Sequence, residues 1–66
     1  MSNKTMINKY RVFEKLDDMK MSKAELANSL GVSEQAVIKR WVNGWKKDAT
    51  LLLCSILECA LSEIEK

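Results

Sequence analysis

The stretch Ser22–Asn43, SKAELANSLGVSEQAVIKRWVN, decides the fold of this 66-residue chain. Ser22 is a good helix N-cap, and Glu25 three residues on completes a capping box ahead of Leu26 and Ala27. The helix so started is expected over 23–30 and ends at Gly31, where a residue without Cβ takes positive φ cheaply. Val32 is apolar, Ser33 caps a following helix from Glu34 to about Val42, and Asn43-Gly44 is a strong stop signal. Two short helices crossing over a turn of three or four residues need a small residue at the close approach, here Ala27. They also need apolar anchors on both sides of the corner, here Leu26, Leu30, Val32 and Val37. The plainer alternative is an ordinary helical hairpin with a glycine turn.

Upstream, Met6, Ile7, Tyr10, Phe13 and Leu16 recur at helical spacing and predict a first helix over about 5–18, with a short connection at Asp17–Lys20. Downstream, Asp48 is expected to cap a last, leucine-rich helix over 49–65, whose stripe is Leu53, Ile56, Leu57, Ala60, Leu61 and Ile64. Leu51, Leu52, Cys54 and Cys59 widen that stripe beyond what one core-facing side needs. Proline is absent and only two glycines occur, so the expected fold is all-α, one domain over 1–66 with four to five short helices.

The net charge of +2 is segregated along the chain. Residues 34–47 carry Lys39, Arg40, Lys46 and Lys47 against Glu34 alone, while residues 48–66 carry four acids against Lys66. The central stretch is the natural anion-facing surface. No apolar run approaches the roughly 20 residues that span a bilayer, and the N-terminal residues hold no apolar signal-peptide core, so a cytoplasmic protein is expected. There is no His, and Cys54 and Cys59 on one helix would lie about 140° apart around its axis. Neither a disulfide within that helix nor a zinc site is expected, and no cofactor or small-molecule substrate is implied. Without a His, an activated Cys or a paired-acid cleft, an enzyme is the weakest class.

The segment KAELANSLGVSEQAVIKRWVNG resembles the DNA-binding domain of Cro and cI-type phage repressors, in which a Leu-Ala pair precedes a glycine turn and Asn-Gly closes the recognition helix. RWVNGWKKDATLLLCSILE is similar to the phage CII activators, and the short length and leucine-rich last helix resemble the small regulators found beside anti-CRISPR genes. The resemblance implies a lambda-repressor-like helix-turn-helix domain, with the motif at about 22–43, that binds double-stranded operator DNA. One departure is visible: Gly31 to Gly44 holds one residue more than the usual repressor spacing, so the recognition helix is lengthened or its end loosened.

In such a motif the outward side chains of the second helix enter the major groove. With Val37 and Trp41 turned inward, the base-reading set is Ser33, Glu34, Gln35, Ile38, Lys39 and Arg40. Gln35 suits an adenine edge, and Lys39 or Arg40 suits guanine. Glu34 either accepts from cytosine or serves the helix dipole; Ile38 meets a thymine methyl or, slightly favoured, packs inward. Phosphate contacts fall to Ser22, Lys23, Asn43, Lys46 and Lys47. Trp45 covers the core or an interface, or else lies on the sugar-phosphate backbone, packing being favoured. Leu51, Leu52 and Cys59 form the expected homodimer face, which would present two recognition helices to an inverted repeat. The leading function is a transcriptional repressor. Alternatives are a CII-like activator, an excisionase-like DNA-bending factor and, from another class, a protein-binding module without DNA affinity.

Overall fold

The computed structural model describes residues 4–66, and among these every regular element is helical. Four α-helices follow in order: α1 (Lys9–Asp18), α2 (Lys23–Leu30), α3 (Glu34–Asn43) and α4 (Lys47–Leu57), then a single 3₁₀ turn at Leu61–Glu63.

The middle of the chain folds as its local signals dictate. Ser22 Oγ accepts from the Glu25 amide at 3.1 Å, and Glu25 Oε1 accepts in return from the Ser22 amide at 3.2 Å, closing the capping box. Gly31 ends α2 at φ +74°, and Ser33 Oγ accepts from the Ala36 amide at 3.2 Å to start α3. Leu26, Ala27 and Leu30 meet Val37 and Trp41 in one core, with Val32 packed against it. α3 runs through Asn43, so helix fills the interval up to Gly44.

The first and last helices are shorter than the periodicity predicts. Asn8, not Thr5, opens α1, its Oδ1 accepting from the Tyr10 amide at 3.1 Å. Residues 4–7 before it make isolated antiparallel bridges. Thr5 exchanges both backbone hydrogen bonds with Trp45 at 2.8 Å; on the other edge Asn8 N–H donates to the Ile64 carbonyl at 2.7 Å and Lys66 N–H to that of Met6 at 3.1 Å. Ile7 is thereby buried from a strand position rather than a helical one. Tyr10, taken as part of the apolar stripe of α1, is exposed.

α4 begins at Lys47 with Lys46 at the N-cap, so Asp48 lies in the first turn and is not the cap. It ends at Glu58, a left-handed residue at φ +53°, instead of continuing to residue 65. Ala60, Leu61 and Ile64 therefore do not extend a helical stripe. Ile64 reaches the core from beyond the 3₁₀ turn, and Cys59, off the helix, packs against the core with its amide donating to the Cys54 carbonyl at 3.1 Å. Cys54 and Cys59 are both free thiols. Glu63 holds the turn to α1: Oε2 accepts from the Ala60 amide at 2.8 Å and Oε1 from Lys15 Nζ at 3.3 Å. No helix among the described residues is long and apolar enough to cross a membrane.

Candidate nucleic-acid interface

α3 is amphipathic, and its inward pair, Val37 and Trp41, fixes what the rest of the helix shows to solvent. Trp41 stands edge-on to Phe13 of α1 at 5.8 Å between ring centroids and tilted against Trp45 at 5.1 Å. Gln35, Lys39 and Asn43 on the far side of the helix are exposed, as are Ser33 and Glu34 at its start. Ile38 is 59% exposed and Val42 75% exposed, so the expectation that Ile38 packs inward does not hold. The two follow each other by one turn on the flank that faces α1.

Arg40 lies elsewhere. It is half-buried, with its guanidinium 5.3 Å from the ring centroid of Trp45, and so covers the core rather than projecting beside Gln35. Trp45 has no exposed surface, which excludes the sugar-phosphate alternative and makes it a core residue. Its Nε1 is buried without a hydrogen-bond partner. Such an orphan donor carries a desolvation cost of about 1–3 kcal/mol.

Cations border the exposed face on both sides. On one side Lys4, Lys39, Arg40 and Lys46 line a shallow hollow with Asn43 and Gly44. Lys4 was not a sequence candidate: nothing local marks it, and only the Thr5–Trp45 pairing brings it beside α3. On the other side Lys9 and Lys23 rim a cleft floored by Phe13, Val37 and Trp41, into which Ile38 also faces. Lys23 Nζ lies 4.4 Å from the Phe13 ring centroid, a cation–π contact that steadies it at the start of α2. Lys9 was likewise missed, because its place was assigned inside a helix rather than at its first residue. Glu34 lines the same cleft, and Ser22 and Lys47 are exposed near these lysines in sequence.

The sole ion pair among the described residues, Lys15–Glu63, joins α1 to the 3₁₀ turn beside Glu14 and Asp18. The Ala60 amide, and next the Lys15 ammonium, hold the Glu63 carboxyl below its ordinary pKa. Burial pushes both thiols, Cys54 and Cys59, above the ordinary thiol pKa. On α4, Leu51 and Leu52 remain exposed, whereas Cys59 does not share their face. Among the described residues no cluster of His, Cys, Asp or Glu could hold a metal ion. No protein-family model, curated protein or solved structure matches the chain.

Proposed function

We propose that this protein is a sequence-specific regulator of the lambda-repressor-like helix-turn-helix class that inserts α3 into the major groove of double-stranded DNA. The observation that carries the reading is the exposed face of α3 bordered by Lys4 and Lys46 on one side and Lys9 and Lys23 on the other. A polar strip between two rows of cations matches a groove floor between two rows of phosphates. Gln35 and Lys39 occupy that strip and suit adenine and guanine edges. Ser22, Lys23, Asn43, Lys46 and Lys47 are the proposed phosphate contacts, to which Lys4 and Lys9 are added. Repression by occlusion of a promoter needs no further domain, and a homodimer on an inverted repeat would supply the affinity that one small module lacks.

Selection of bound sequences from a random duplex pool tests this. A palindromic motif is expected, with log K falling linearly in log salt and the slope made shallower by about 0.9 for each of Lys23→Gln and Lys46→Gln. A chain that enriches no motif and shows no salt-dependent retention of DNA is a protein-binding module instead, the reading that exposed Leu51 and Leu52 would then favour.

A further inference from the structure

Ile38 and Val42 are the anomaly of the exposed face. On a helix face bordered by lysines, these two large β-branched side chains are 59% and 75% exposed and a helical turn apart, a paired apolar surface that the core does not use. Neither belongs to the buried core, which α3 enters through Val37 and Trp41. Neither is covered by Glu34 or Lys39. Apolar surface so placed must be buried by whatever the cations attract, and what they attract is anionic.

Resting on the DNA reading above, we propose that Ile38 and Val42 determine specificity by packing against the C5-methyl groups of thymines in the major groove. The thymine methyl is the apolar feature that a base edge offers there, and it lies on the groove floor flanked by phosphates. Charge complementarity favours this occupant over a second copy of the chain: Lys9 and Lys23 border Ile38 on its cleft side against Glu34 alone, a net positive rim that would repel its own counterpart. The reach also fits. Residues four apart on a helix are separated by about 6 Å along the axis, or roughly two base-pair steps of 3.4 Å. Gln35, one turn before Lys39 on the same surface, would read an adenine beyond the pair, so the preferred half-site is a short A·T-rich tract with thymines set two steps apart.

The experiment uses a duplex recovered from the random pool in which each thymine in turn is replaced by deoxyuridine, which removes only the methyl. Two positions are expected at which the substitution weakens binding about fourfold, the equivalent of one buried methyl group. In Ile38→Ala one of these positions should bind thymine and uracil equally, and in Val42→Ala the other. Both residues are exposed, so unchanged melting temperatures will show that the variants fold. Binding of the parent duplex with no position sensitive to the methyl overturns the proposal while leaving the DNA reading intact. Variants that keep the thymine preference but lose self-association assign the face to a second copy, and overturn it too. Failure to bind any duplex removes the DNA reading itself.

Discussion

Gly31 and Gly44 both hold positive φ, yet they stand in different surroundings. A Cβ built on Gly31 meets nothing within 4 Å, whereas one on Gly44 would come within 2.9 Å of Lys4 Cβ and 3.2 Å of Met6 Sδ. Alanine at residue 31 therefore carries only backbone strain, on the order of 1 kcal/mol. Alanine at residue 44 adds overpacking against the extended N-terminal segment, for a total of about 3 kcal/mol. Thermal unfolding should show a fall in Tm of about 6 °C for Gly31→Ala and about 15 °C or more for Gly44→Ala. Equal shifts would mean that the Lys4–Ile7 segment yields without cost. From the sequence both glycines read as stop signals, and that much is local chemistry; the crowding at Gly44 is made by residues forty positions away, which no spacing rule reaches.

At the scale of elements, the 3₁₀ turn is held to α1 by one carboxylate, Glu63. Because the Ala60 amide and Lys15 lower its pKa in the folded state, it contributes stability above the ordinary carboxylate value of 4.5. That contribution disappears as pH falls through the lowered folded-state pKa. Chemical unfolding of Glu63→Gln against the parent chain should show the parent more stable at pH 7 and the two converging as pH falls through that lowered pKa. A pH-independent difference would assign the effect to packing. The contrast between elements explains what the sequence revealed. α2 and the start of α3 are set by capping bonds within four residues, and Ser22, Glu25 and Ser33 announce them. α1 and α4 obey helical periodicity in sequence but yield to pairing between distant segments: Ile7 is taken into an isolated backbone bridge with Glu65, and Glu58 turns the chain so that Ile64 can reach the core.

For the whole molecule, the charge pattern along the chain becomes a pattern in space. The candidate residues of α3 were legible because an inward pair of Val37 and Trp41 fixes the opposite face; Lys4 and Lys9 were not, since their approach depends on the N-terminal strand. Leu51 at 60% and Leu52 at 43% exposure are the remaining apolar surface on α4, and they carry the proposed homodimer. Sedimentation should find a dimer at about tens of micromolar, and the Leu51→Lys, Leu52→Lys double variant a monomer. That monomer should lose about tenfold or more in affinity for an inverted repeat with little change for a single half-site. A parent chain that sediments as a monomer and binds both alike would dismiss the dimer.

The strand that covers Trp45 has a further consequence for how the protein comes into being. Thr5 pairs with Trp45 and Ile7 with Glu65, so the second pairing closes a loop of almost the entire described chain. Closing so long a loop carries a higher entropy cost than forming the α2–α3 corner, which needs only its neighbours. The corner is therefore the early part of folding, and the sealing of Trp45 the late part. On the ribosome the α2–α3 corner can take shape while the chain is still tethered, but the core stays open until residues 64–66 have emerged.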